Sequence, residues 1–256
     1  FGVPFECLGM SNFEDQLCFA MVAPVVLCAL IPSCYVLWQF VPSRDCTPRE
    51  CSSEAVRVGL LKALPATLFL VFVAFPMVTS LAVRAFACED FSEDGEEDHA
   101  SFLRADYAVD CDDAQYMSIT RLAWAALAIY PCGVPVLFLL LLRTSRDAIQ
   151  SGRPTPLSRA LAFLHQEYEP GYYWFDVAEI VKKTFLVGIV ALIDPGSMVQ
   201  LLVGVTVALC YFLFVALLAP WQHDDDDQFA KLVNFLLLGL LFICVVLKLS
   251  YLSDEV

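Results

Sequence analysis

The chain has 256 residues, 59% of them hydrophobic, and a mean hydropathy of +0.68; a soluble domain is roughly 45–50% apolar. Charged residues make up 17%, against about 25% in soluble domains, which excludes a disordered chain, a coiled coil and a soluble enzyme and leaves a multi-pass helical membrane protein. The net charge of −14, from 15 basic and 29 acidic residues, gives no basic footprint for nucleic acid.

The chain opens at Phe1, with neither Met nor the basic segment of a signal peptide, and reads as part of something longer. A spanning helix needs about 20 apolar residues. Gln16–Ser43, Ala63–Val83, Leu122–Leu142, Pro195–His223 and Leu232–Leu247 carry no charge and each predicts a span. A further segment, fourth in chain order, is apolar only over Thr184–Ile193 and is preceded by Tyr172-Tyr-Trp-Phe-Asp-Val-Ala-Glu-Ile-Val-Lys-Lys183. The expected architecture is all-α, a polytopic bundle with spans near residues 17–40, 60–84, 119–142, 173–193, 197–218 and 230–251. An outer acidic loop (85–117) and an inner connector (143–171) complete it.

Orientation follows from Lys and Arg near the span ends. With the N-terminus outside, eleven basic residues fall inside and four outside (Arg84, Arg104, Arg121 and Lys248). Six spans then put the C-terminus outside as well. The Ala85–Met117 loop, with eleven Asp/Glu and a single Arg, is exterior in this scheme. In the connector, Thr155-Pro156 is an N-cap and first-turn pair. Leu157, Ala160, Leu161, Leu164 and Tyr168 follow helical spacing. They predict a short amphipathic helix on the inner membrane surface, followed by an aromatic belt of Tyr168, Tyr172, Tyr173, Trp174 and Phe175.

The fourth span carries the chemistry. Asp176, Glu179 and Lys183 recur at i, i+3 and i+7, and Glu179–Lys183 is a favourable i, i+4 pair. Ten apolar residues cannot cross about 30 Å at about 1.5 Å each. Asp176, Glu179, Lys182 and Lys183 therefore form an intramembrane cluster facing protein, let both lysines snorkel to the inner headgroups, or belong to a re-entrant or interfacial segment. Lys182, about 100° around the helix from Lys183, is the better candidate for snorkelling.

Cys88 and Cys111 flank the outer loop, where an oxidising face permits a disulfide; Cys7 and Cys18 are a weaker pair. Cys46 and Cys51, inside and without further ligands, read as reduced thiols. Asp90–Gly95 matches a calcium loop at positions 1, 3, 5 and 6, but Ser101 stands where the closing glutamate belongs. The inner run Asp224, Asp225, Asp226 and Asp227 precedes the last span, where acids complement a helix N-terminus; attraction of cations to an inner opening is the alternative. Pro131, Gly133 and Pro135 concentrate in one span and predict a kink or hinge. No HExxH, P-loop, GxGxxG or GxSxG pattern occurs, so neither an enzyme, a cofactor nor a metal is expected. The expected partners are the lipid bilayer, other membrane subunits and cations.

Several segments together carry a resemblance: Pro4-Phe-Glu-Cys7, Phe86-Ala-Cys88 to Leu103-Arg-Ala-Asp-Tyr-Ala-Val-Asp-Cys111, Tyr130-Pro-Cys-Gly-Val-Pro135, Glu169-Pro-Gly to Lys183, Pro195-Gly-Ser197 and Ala219-Pro-Trp221. The chain resembles the C-terminal membrane region of large algal and protist surface proteins with cysteine-rich, EGF-like or ephrin-receptor-like repeats. More distantly it is similar to the TRP-like C-terminal domain. The resemblance implies a TRP-like channel or transport module in the plasma membrane or an endomembrane of a eukaryote. The rival is a non-conducting receptor or anchor for a cysteine-rich ectodomain. The chain departs from a TRP pore between its last two spans: Ala219–Ala230 is about twelve residues and inward-facing, where a pore helix and filter need a longer outward loop.

Overall fold

The computed structural model describes residues 10, 12–40, 48–91, 101–190, 193 and 197–254. It is mostly helical and divides into two compact units, Phe1–Phe163 and Leu164–Val256. Five helices are long and apolar enough to cross a membrane: Phe13–Trp38, Val56–Arg84, Ala114–Thr144, Met198–Leu218 and Asp224–Tyr251. Their windows have mean hydropathies of 2.2 to 2.7, and leucines and valines are exposed along them, as lipid-facing helices require.

In the first unit, α1 (Phe13–Phe40) and α2 (Pro48–Arg84) run unbroken through Pro24, Pro32, Pro65 and Pro76 and pack extensively on each other. Their approach is close at Gly59, where a Cβ would lie 2.8 Å from Val36 Cα and Cγ2; small residues let membrane helices meet this way. Hydroxyls in these helices turn back onto their own backbone, Thr67 to the Ala63 carbonyl and Thr79 to that of Phe75. That satisfies them in apolar surroundings.

The acidic loop, residues 85–117, is not wholly irregular. β1 (Cys88–Asp90), β2 (Ser101–Leu103) and β3 (Asp106–Asp110) form an antiparallel sheet in that order, with Cys88 opposite Leu103. This small sheet amends the all-α expectation. Strands of three to five residues are too short to leave an alternation to read in the sequence. Cys88 and Cys111 are disulfide-bonded, with Cα atoms 6.5 Å apart. The first half of the third span, α3 (Ala114–Leu127), starts at the N-cap Asp113. It continues through a π-helical turn, Ala128–Gly133, into α4 (Val134–Thr144).

The connector differs from the expected surface helix. α5 (Arg146–Gln150), α6 (Pro156–Ala160) and α7 (Ala162–His165) are short, and Thr155 caps α6 in a capping box with Ser158. Ala160, Leu161 and Leu164 are 0–2% exposed, and the Phe163 ring packs on Phe69, Phe72 and Phe138. The apolar face is thus covered by protein rather than left for lipid. Helical spacing shows that a face is apolar, not what covers it.

In the second unit, a 3-10 turn (Pro170–Tyr172) leads into α8 (Phe175–Thr184), which continues as a π-helical turn, Phe185–Ile189. α9 (Met198–Leu218) is capped by Ser197 and ends at Ala219, which is left-handed at φ 41°. α10 (Asp224–Asp254) follows after a short link. That link is zipped to the end of the connector: Glu169 N–H donates to the Pro220 carbonyl at 2.9 Å and Gln222 N–H to that of Glu167 at 3.1 Å. α8 runs antiparallel to α9, with Phe175 stacked on Phe214 at 5.7 Å. At the far end Gln200 Nε2 donates to the Val190 carbonyl at 3.1 Å.

Candidate functional site

The residues that zip the link also build an aromatic floor. Tyr168, Phe175, Tyr211 and Val215 are buried together, with Trp174, Phe214 and Trp221 against them. The expected aromatic belt is therefore partly a core: Tyr168, Tyr173 and Phe175 are buried. The Tyr168 and Phe175 rings pack on each other and on Trp221 of the link, and Phe175 stacks on Phe214 of α9.

Above this floor α8 presents its charges. Tyr211 on α9 donates to Glu179 Oε1 at 2.6 Å. Glu179 Oε2 lies 2.9 Å from Lys182 Nζ and 3.6 Å from Lys183 Nζ. Lys182 Nζ donates to Asn234 Oδ1 on α10 at 3.4 Å and sits 4.0 Å from the centre of the Tyr211 ring. Asn234 Nδ2 in turn donates to the Ala230 carbonyl at 2.8 Å. Three helices are thus joined by one acid, one base, one phenol and one amide.

The two lysines exchange the roles expected of them. Lys182 has 11% of its side chain exposed and is the close partner of Glu179, whereas Lys183 has 64% exposed. Phe175, Glu179 and Lys182 lie at i, i+4 and i+7 on the face turned to α9 and α10, and Lys183 is a further 100° or so around the helix. Both i+3 and i+4 reach Glu179 along a helix, so only the neighbours decide which lysine is covered.

Asp176 occupies a second position. Its Oδ1 accepts from the Tyr168 hydroxyl at 3.2 Å, and its Oδ2 is buried with no hydrogen-bond partner. Burial and the nearby Asp176 and Glu179 carboxylates push the Tyr168 phenol's pKa well up, so it remains a donor at all physiological pH values. Sequence reasoning did not assign Tyr211 or Asn234 to this site and placed Tyr168 in the belt. Asn234 left a signal, as the lone amide in the apolar run Leu232–Leu247.

The remaining candidates lie apart from this cluster. Pro131 and Gly133 fall within the π-helical turn and Pro135 in the first turn of α4. Pro131 has no N–H to donate, and the widened turn accommodates that without a break. Tyr130 in the same turn donates to the Met21 carbonyl at 2.7 Å. Asp224, Asp225, Asp226 and Asp227 open α10 as its first turn. Asp227 is buried and accepts from Trp221 N–H at 3.4 Å, leaving the other three exposed. Cys18 is a free, exposed thiol, so the weaker disulfide does not form. Cys7, Cys46, the side chain of Cys51 and most of the calcium-loop match lie outside the described residues, as do Pro195 and Gly196 of the resemblance. Among the described residues no three ligating side chains gather to hold a metal. Neither a family, a curated protein nor a solved structure matches the chain.

Proposed function

We propose that this chain is the six-crossing membrane module of a larger surface protein, and that it is a TRP-like channel or transport module whose polar site is the α8–α9–α10 cluster. What supports six crossings is the antiparallel course of α8 along α9. The zipped link holds the start of α8 and the end of α9 on one side, and Gln200 meets Val190 on the other. α9, at 21 residues, rises about 31 Å, a full hydrocarbon thickness. Residues from Phe175 to Val190 accompany it through most of that depth, although the segment is not itself apolar. Glu179 faces Tyr211, seven residues before the end of α9 and so about 10 Å inside it.

The single observation carrying transport is the buried Asp176 oxygen without a partner. Ionisable groups inside a bundle are costly and mark ion or proton pathways. An acceptor with a free lone pair beside a completed Glu179–Lys182 pair is where a cation or proton docks. No filter is available between α9 and α10, because the link is short and pinned. The path therefore runs along the cluster.

The rival anchor reading has its own support: Glu179 and Lys182 saturate each other and lock three helices. Reconstitution into liposomes separates the two. A transport module gives a cation or proton flux that Asp176→Asn abolishes at least tenfold while the thermal midpoint holds. An anchor gives no flux, and Asp176→Asn then only removes a poorly solvated charge.

A further inference from the structure

On the first unit's outer sheet, a half-open cavity of about 380 Å³ is lined by Arg84, Ala87, Arg104 and Ala105. We propose that it is a binding site for a phosphate-bearing anion, held between the two guanidinium groups. Arg84 stands in the last turn of α2 and Arg104 in the turn between β2 and β3. Arg104 N–H donates to the Ala87 carbonyl at 2.8 Å, and Cys88, the next residue, is bonded to Cys111 and paired opposite Leu103. Both arginine backbones are therefore fixed, and the site exists before a ligand arrives.

Charge makes the arrangement unusual. The chain carries −14 and its outer loop eleven acids, yet among the described residues neither arginine makes an ion pair. Four of the loop's six described carboxylates are hydrogen-bonded elsewhere. Asp106 accepts from the backbone N–H groups of Phe13 and Ala108, Asp110 from that of Asp112, Asp113 from that of Ala114, and Glu89 from the Tyr107 hydroxyl. Two arginines lining one cavity repel each other unless an anion lies between them. A planar guanidinium pair matches phosphate oxygens two at a time. Alanines on the remaining wall leave room for the anion and add no competing acceptor. The cavity is half open, so the substituents of a phosphodiester can extend out of it. The phosphate comes either from a lipid headgroup at the end of α2 or from a soluble phosphate compound.

The test uses the full chain in detergent. Inorganic phosphate should raise the thermal midpoint above chloride at equal ionic strength, and Arg84→Gln or Arg104→Gln should weaken the apparent affinity about tenfold each, as expected for losing a charge-assisted pair. Both side chains are exposed, so the variants fold. Dihexanoyl phosphatidylglycerol forms the second arm. Binding stronger than phosphate, lost in the same variants, identifies a lipid headgroup. Equal or weaker binding identifies a soluble phosphate compound. A shift no larger than that of chloride, or one that survives both substitutions, overturns the site.

Discussion

Lys182 and Lys183 are chain neighbours with opposite surroundings. Lys182 Nζ is held by Glu179, Asn234 and the Tyr211 ring, so Lys182→Ala leaves Glu179 buried beside Tyr211 with only the more distant Lys183. Breaking a buried pair from one side costs about 3–5 kcal/mol; the residual Lys183 contact places the expected loss near the lower end. Lys183→Ala removes a largely exposed side chain, and exposed pairs contribute about 0–1 kcal/mol. Thermal unfolding of the two variants side by side checks this. Equal losses would mean that the lysines share Glu179 rather than divide between core and surface. Tyr168, on the connector, is drawn into the same site by a single hydrogen bond to Asp176, a contact that no spacing rule anticipates.

Helix packing in this chain is decided at a few small residues. At Gly59 an added Cβ would meet the Val36 backbone at 2.8 Å, and backbone cannot swing aside as a flexible side chain does. Gly59→Ala should therefore push α1 from α2 and lower stability by about 1–3 kcal/mol, the usual range for overpacking. Gly239 in α10 has nothing within 4 Å of its added Cβ. Gly239→Ala should be neutral or stabilising by up to about 1 kcal/mol, from helix propensity alone. Unfolding midpoints of the two variants test the contrast, and a loss at both would show that α10 meets a neighbour through Gly239. At the same scale, the π-helical turns at Ala128–Gly133 and Phe185–Ile189 each shift the register of the helix that follows. The sequence marked the first with two prolines. The second carries none, and nothing in its composition distinguishes it from an ordinary helix.

Across the whole molecule, the number of crossings fixes where the C-terminus lies. With the N-terminus outside, six crossings place it outside, and five, with the α8 segment failing to cross, place it inside. An epitope tag after Val256 should be reached by antibody in intact cells. An impermeant thiol reagent should label a cysteine introduced at Glu89 but not one at Arg146, in a background without the free cysteines. A tag reached only after permeabilisation, with Glu89 still labelled, would mean that the charged segment does not cross.

Five apolar runs, the Cys88–Cys111 bond and the cap at Thr155 were legible in the residues. Each depends on local composition, residue type or spacing, which the residues report directly. The charged segment's oddity was legible too, because ten apolar residues fall short of a bilayer. Its partners were not. Which lysine is covered, that Tyr211 and Asn234 close the network, and that the connector's apolar face meets protein all depend on contacts between elements far apart in the chain. The three-stranded sheet and the meeting of Arg84 and Arg104 around one cavity have the same origin. Short acidic strands carry no periodic signal, and two cations 20 residues apart become neighbours only when the Ala87–Arg104 hydrogen bond and the disulfide fold the loop back onto the end of α2.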